Sequence, residues 1–245
     1  MADPGYYDLN VRCTQESGNT IGEIIAVARR LGYSGIAITN PDNTKQIVPS
    51  ASFDGFEIIS GVEIRTDNAS KLHGIVNKYR DRVDIVVVSG GSESINRAAV
   101  ENPGVDLLVN FNIAQENGFN QVLAKAASEN RVAISFDLGD LIHLRGGSRV
   151  QALTNCRKNL QLVRKYDVPF HLSSNARSWF DLRAPREIAS LAALFGMSAE
   201  EAVAGLTTIP HSIVIRNRPP VGYINEGVQL VYKDADAGSM NEEDC

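Results

Sequence analysis

Seven short apolar runs, most of them followed by a segment of helical periodicity, constrain this chain more than any other feature it has. They are YYDLNV (6–11), GIAITN (35–40), FEIISGVEI (56–64), DIVVVSGG (84–91), DLLVN (106–110), RVAISFDL (131–138) and PFHLSS (169–174). DIVVVSGG and DLLVN are almost wholly apolar, the signature of parallel strands buried on both faces. Between the runs, TIGEIIAVARRLG sets Ile21, Ile24, Ile25, Ala28 and Leu31 on one helical face and stops at Gly32, a residue suited to a left-handed cap. GFNQVLAKAASENR (118–131), SRVQALTNCRKNLQLVRKYD (148–167) and PREIASLAALFG (185–196) read as further helices. SAEEAVAGL is another, with Ser198 as N-cap and Glu201 at the capping-box position. Strands alternating with helices, without a long interruption, predict an α/β fold: a TIM-barrel-like (β/α) barrel rather than an open doubly wound sheet. The eighth strand is open at this stage. IPHSIVIR (209–216) reads either as that strand or as a segment packed on the periphery.

Composition permits such a barrel. With 245 residues, 43% hydrophobic and 22% charged, one core can be buried without disulfides or a structural metal. Cys13, Cys156 and Cys245 are scattered, with no CxxC spacing, which suits a reducing, cytoplasmic setting. No apolar stretch is long enough to span a bilayer, and MADPGYYDLN lacks the basic flank and apolar run of a signal peptide. The net charge of −5 is unevenly spread. Residues 231–245 carry a net of −4 and are expected to form a disordered acidic tail after a single domain of residues 1–230. Residues 145–186 hold nine Arg or Lys against Asp167 and Asp181.

In a barrel, polar residues at the strand C-termini meet at one mouth. Here they are Asp8 and Asn10, Thr39 and Asn40, Glu63 and Arg65, Ser89 with Gly90 and Gly91, Asn110 and Asn112, Asp137, and Ser173, Ser174 and Asn175, with His171 inside the last strand. A hydrolytic transition-metal centre wants clustered histidines, often as His-x-His. His73, His143, His171 and His211 are far apart, so no metal site is expected, and His171 reads as a hydrogen-bonded core or rim residue. Glu63 and Asp137 offer two carboxylates for a hard ion such as magnesium, or else partners for mouth arginines such as Arg65. Neither Cys13 nor Cys156 has a histidine at a meaningful spacing, and no GxSxG exposes Ser173 or Ser174, so no catalytic nucleophile is expected.

Anion binding has more support. SGGS (89–92) and RGGS (145–148) each lie between a strand and a helix, where glycine can turn backbone N–H groups toward a phosphate. Arg97, Arg145, Arg149, Arg177, Arg183 and Arg186 follow the strand exits, joined by Lys125 and Lys158. Arginines this numerous and dispersed suit a polyphosphate backbone better than a single ester. Trp179 and Phe180 among them suit base stacking or a contact with another subunit equally. Arg164 and Lys165, mid-helix, read as a solvated face.

The blocks DLNV, LGYSGIAI, GVEI, DIVVVSGGSESINRAAVEN, VDLLVN, RKNLQLVRKYDVPFHLSSNARS and DLRAPREIASLAALFGMS, in this order between about Tyr7 and Ile215, resemble archaeal ribonuclease P protein component 3. Its eukaryotic counterpart is the thirty-kilodalton subunit shared by ribonucleases P and MRP. The resemblance implies a barrel related to the PHP phosphoesterases and a subunit of the RNA-based endonuclease that matures tRNA 5′ ends. It implies that the RNA and its magnesium catalyse, that the polypeptide binds no cofactor, and that component 2 and other ribonuclease P proteins are its partners. Where PHP enzymes carry a metal-binding His-x-His, this chain has Asp8-Leu9-Asn10, and their late acid and histidine correspond to Ser174-Asn175-Ala176. Glu63 alone of the acidic positions is retained. Two other classes stay open beside the subunit: a stand-alone phosphoesterase using Glu63, Asp137 and His171, and an assembly scaffold in which Trp179 and Phe180 bind the partner.

Overall fold

The computed structural model describes residues 5–14, 18, 20–111 and 117–218, with the backbone of two short strands beyond them and the side chain of Asp140 excepted. Asn112, Cys245 and the acidic segment 231–245 lie outside the described residues. In chain order the elements are β1 (Tyr6–Val11), α1 (Ile21–Leu31), β2 (Tyr33–Pro41), β3 (Ala51–Phe53), β4 (Phe56–Ile64), α2 (Ala69–Arg80), β5 (Ile85–Ser89), α3 (Glu93–Val100), β6 (Leu107–Val109), α4 (Gln121–Glu129), β7 (Ala133–Asp137), α5 (Leu138–His143), α6 (Gly146–Tyr166), β8 (Phe170–Ser173), α7 (Pro185–Ala193), α8 (Ala199–Leu206) and α9 (Thr208–Asn217). The last two strands, β9 (Tyr223–Asn225) and β10 (Val228–Gln229), pair with each other.

The helix ends are set locally. Gly32 adopts the left-handed conformation at φ 95° and closes α1, and Ser198 and Glu201 form the reciprocal capping box that opens α8. The seven expected strands pair in the order β1-β2-β4-β5-β6-β7-β8, all parallel, with β3 added antiparallel to β4. Strand pleating divides their side chains into two sets. Tyr7, Leu9, Ala37, Ile59, Ile85, Val87, Leu107, Val109 and Ala133 form one buried cluster inside the barrel. Neighbours in sequence, such as Ile36, Val62, Val86, Leu108, Ile134 and Leu172, pack under the helices instead. Burial on both faces is why these runs lack a polar alternation.

IPHSIVIR is not an eighth strand. It lies within α9, whose Ile213 and Val214 join the barrel's interior cluster, with Ile209 packed against it. Ile209 and Ile213 stand four residues apart on one helical face, and burying that face outweighs the strand preference of a β-branched run. At the end of this helix, Arg216 and Asn217 bond the fully buried Asp106 at 2.9 and 2.8 Å. Arg218 reaches Asp84 at 2.8 Å. Asp106 also receives Arg80 at 2.6 Å and the Val86 N–H at 2.8 Å, so one carboxylate ties α2, β5 and α9 together.

Among the described residues, β1 and β8 share no strand ladder. The Arg12 N–H donates to Ala176 O at 2.8 Å, and side chains do the rest. Asp8 accepts Ser173 Oγ at 2.7 Å, Ser174 Oγ at 2.6 Å and the Ser174 N–H at 2.9 Å. The Leu9 N–H donates to His171 Nε2 at 3.1 Å. Seven strands thus come round to one another, and a polar seam stands where an eighth strand was sought.

Candidate functional site at the barrel mouth

Beyond the seam, the C-terminal strand ends gather the expected acids, and each carboxylate is engaged by the chain itself. Glu63 is fully buried between two arginines. Arg12 donates through Nε to Oε2 at 2.7 Å and through Nη2 to Oε1 at 3.1 Å. Arg65 donates through Nε to Oε1 at 3.1 Å and through Nη2 to Oε2 at 3.0 Å. Asn110 Nδ2 adds a fifth bond at 3.2 Å. This is the arginine pairing expected as the alternative to a magnesium ligand, doubled by Arg12. Asp137 accepts the Asn110 N–H at 2.6 Å and Ser135 Oγ at 2.9 Å. Among the described residues, no three His, Cys, Asp or Glu side chains come together as a metal cluster.

Asparagines carry the network across the mouth. Thr39 donates to Asn10, Asn10 to Asn175, and Asn175 to Asn110, at 2.9, 3.2 and 3.0 Å. Asn110 then reaches Ser89 at 3.0 Å as well as Glu63. Asn110 and Asn175 hold left-handed backbones, at φ 61° and 49°, a conformation asparagine tolerates better than most residues.

His171 is fully buried below this belt. Desolvation pushes its pKa down to about 4, against the opposing pull of Asp8 and a backbone hydrogen bond to Tyr7. Its Nε2 accepts the Leu9 N–H, so the imidazole is a neutral bracket in the seam. Cys156 is buried and its thiol is raised to about 12, first by desolvation, which suits a core residue and no nucleophile. Burial also raises the half-buried Cys13 thiol.

Two cavities open at the mouth. One, of about 630 Å³, is lined by Arg12, Arg65, Arg177, Asn43, Ser89 and Asn110 among others. The second, of about 270 Å³, lies among His143, Ser174, Asn175, Arg177, Asp181 and Arg183. Arg177 lines both. Gly139 also borders the smaller cavity, and a Cβ there would meet Ser174 O at 1.9 Å, so only glycine lets α5 pass so close to the β8 exit.

The structure divides the basic candidates. Arg177 and Arg183 meet at the mouth, while Arg186 is exposed at the start of α7 and Lys158 on α6. Arg145 and Arg149 turn toward the end of α5, donating to Ile142 O at 2.6 and 2.9 Å, with Arg145 also reaching Leu144 O. Arg97 sits between Glu93 and Glu101 on its own helix, and Lys125 faces Glu129. Arg164 is exposed, in keeping with the solvated-face reading, and in addition grips Glu201 with two bonds of 2.7 Å that join α6 to α8. Lys165 lies over the Tyr166 ring.

SGGS does not form an anion cradle. The Gly90 N–H donates to Val109 O and the Gly91 N–H to the buried Asn96 Oδ1, so both donors are used within the fold. RGGS does open a helix, α6, whose N-cap Arg145 supplies no side-chain cap. Trp179 and Phe180 stack with ring centroids 3.4 Å apart, and Phe180 stays 67% exposed. Arg12 is the residue sequence reasoning missed. Its signal was the alternation Asp8, Asn10, Arg12, which carries the polar face of β1 into the mouth.

A family model described as RNase P subunit p30 matches residues 5–219. Ribonuclease P protein component 3 of Methanosarcina barkeri is 46% identical over 235 residues, covering 94% of this chain and 98% of that protein. Its counterpart in Methanococcoides burtonii is 48% identical over 230 residues, covering 94% and 95%. Among solved structures, a chain in the cryo-EM structure of archaeal ribonuclease P with mature tRNA superposes with a TM-score of 0.72 at 24% identity, covering 94% of this chain and all of that one. Histidinol phosphate phosphatase of Lactococcus lactis, complexed with zinc, histidinol and phosphate, gives 0.53 at 11% identity, covering 79% and 94%. These superpositions establish the shared barrel.

Proposed function

We infer the working of the mouth from one premise: this chain belongs to the RNase P subunit p30 family, and it is a protein subunit of ribonuclease P, the holoenzyme that processes tRNA. In this reading the polypeptide supports the RNA and is not itself the catalyst. Magnesium acts on the RNA of the holoenzyme, no cofactor is held by the chain, and the small subunit component 2 is the partner that docks with it. The cytoplasm is the proposed setting; no helix among the described residues is long and apolar enough to cross a membrane.

One observation carries the reading. The acids that a phosphoesterase would spend on metal ions are spent here on arginine, asparagine and serine, while arginines remain at the rim. Glu63 answers to Arg12 and Arg65, Asp137 to Asn110 and Ser135, and Asp8 to Ser173 and Ser174. His171 is turned to the Leu9 backbone. That is poor support for the stand-alone phosphoesterase. Arg177, Arg183 and Arg186, with the exposed Lys158 on α6, are proposed to contact RNA phosphates. Arg97 and Lys125 come second in this set because each faces an acid on its own helix.

The test is binding of the chain and component 2 to ribonuclease P RNA across a salt series. Removing one arginine from a phosphate should flatten the slope of log affinity against log salt by about 0.7 to 0.9. Arg177→Ala and Arg183→Ala should each do so without unfolding the chain. If both variants keep the wild-type slope, the mouth arginines do not touch RNA and the scaffold reading, with the exposed Phe180 as its anchor, takes over.

A further inference from the structure

Trp179 and Phe180 ride on a turn that the chain fixes from both sides. Ala176 and Leu182, which flank it, are buried in the same cluster that Trp179 packs against. Between them the Asp181 N–H donates to Ser178 O at 3.1 Å, closing the turn with the two aromatic residues at its tip. The Asp181 carboxylate accepts the Arg177 N–H at 3.1 Å and Ser178 Oγ at 3.0 Å. Arg183 Nη1 donates to Phe180 O at 2.7 Å and to Leu182 O at 2.9 Å, and Tyr33 Oη donates to Arg183 O at 2.8 Å. A lone exposed phenylalanine would mean little. This one is stacked on the Trp179 indole, with the two planes 26° apart, and the indole rests in turn on the core. One face of the phenyl ring is covered by Trp179, so its exposed area is the other face and the edges.

We propose that Phe180 is a stacking platform for one unpaired RNA base, laid on the outer face of its ring with Trp179 as the support beneath. The proposal rests on the reading of this chain as a subunit that contacts RNA. A base is a planar π-system that extends such a stack, and every base has a π-face, so the platform selects an unpaired nucleotide and not a sequence. The turn is set before the ligand arrives, which removes much of the ordering cost of binding. Asp181 and Arg183, on the same turn, line the smaller mouth cavity, where Ser174 and Asn175 offer polar atoms to a sugar or a base edge. A protein partner asks for something different, because its anchors sit within a contiguous apolar patch. In residues 170–190, Phe180 is the only exposed large apolar side chain, and Arg177, Ser178, Asp181 and Arg183 flank the two rings in sequence.

The test uses the full-length protein and a short single-stranded RNA of uridines. Beside it stands an abasic strand of equal length, whose phosphates are unchanged. Trp179 is the only tryptophan of the chain, so its fluorescence reports on this loop alone. The emission should change with the base-bearing strand and stay constant with the abasic one. Phe180→Ala should weaken binding of the base-bearing strand about 5- to 150-fold, the range of one base–aromatic stack. It should leave the salt slope as it is, since no phosphate contact is lost. Phe180→Tyr should keep wild-type affinity. Phe180→Leu, with apolar bulk and no π-face, should bind as poorly as Phe180→Ala. All three change an exposed side chain and spare the core.

Equal affinity of the wild type for both strands, no binding of the base-bearing strand, or wild-type affinity in Phe180→Ala or Phe180→Leu overturns the proposal. If Phe180→Ala leaves RNA binding intact and lowers affinity for component 2, the ring belongs to a protein interface instead. The wider reading is judged separately, by the salt slope of Arg183→Ala on ribonuclease P RNA. A flattened slope there, with Phe180→Ala binding as wild type, removes the stack and keeps the RNA contact. No change in either variant removes both.

Discussion

Replacing His171 tests the seam that closes the barrel. Its pKa, ordinarily 6.5, is driven down to about 4 by burial, so between these values the unfolded chain holds a proton that the folded chain refuses. A group whose folded pKa is depressed by burial of its neutral form lends full stability above its unfolded pKa. That contribution is lost as pH falls from 6.5 toward 4. The slope for one proton is about 1.4 kcal/mol per pH unit, and the whole window amounts to about 3 kcal/mol, a large share of the roughly 5–15 kcal/mol of a typical domain. Asp8 faces the ring and Asp137 lies one serine away, so the comparison is kept to the upper part of the window, above the ordinary carboxylate range. The clean range is therefore pH 6.5 down to about 5, worth about 2 kcal/mol. His171→Gln keeps an acceptor for the Leu9 N–H and removes the titrating group. His171→Ala leaves that N–H unsatisfied and should cost a further 1–3 kcal/mol or so at pH 7.5. Urea unfolding at closely spaced pH values reads both effects. Wild type should lose stability across the clean range faster than His171→Gln by about one proton's slope. Parallel curves for the two proteins would refute the buried neutral imidazole.

Other consequences are separable. Asp106→Ala strips the anchor shared by Arg80, Arg216 and Asn217, and should destabilise the chain by about 3 kcal/mol in urea unfolding, since it strands partly buried arginines; a change under about 0.5 kcal/mol would mean α9 is held by Ile213 and Val214 alone. A double-mutant cycle on Arg164 and Glu201 should return a coupling of no more than about 1 kcal/mol despite the two short bonds, because Arg164 is 46% exposed and water screens the pair. Gly139→Ala should displace Ser174 from Asp8 and lower thermal stability, as the added Cβ has no room beside Ser174 O; an unchanged melting temperature would show that α5 can step aside.

Local chemistry was legible in the sequence. Seven strands follow from apolar runs buried on both faces, and the ends of α1 and α8 follow from Gly32 and the Ser198–Glu201 box, because those signals act within a few residues. What escaped depends on residues distant in the chain. IPHSIVIR has a strand's composition, and only the open end of the barrel makes its helical face the one worth burying. Arg12 gains its meaning from Glu63, 51 residues away, and SGGS loses its anion-binding promise because Asn96 and Val109 claim its N–H groups. Arg164 is solvated as its sequence suggests, and its pairing with Glu201 on α8 was the part that could not be read. The site's polar inventory was thus readable, and its pairing was not.

As a subunit of ribonuclease P, this chain is proposed to assist an RNA catalyst and to bring no hydrolytic centre of its own. Reconstitution of precursor-tRNA cleavage, with ribonuclease P RNA and component 2, with and without this chain, is the decisive experiment. At magnesium concentrations that limit the RNA, adding the chain should raise cleavage, and the chain without RNA should cleave nothing. Cleavage that is indifferent to the chain, together with phosphoester hydrolysis by the purified protein alone, would contradict that role.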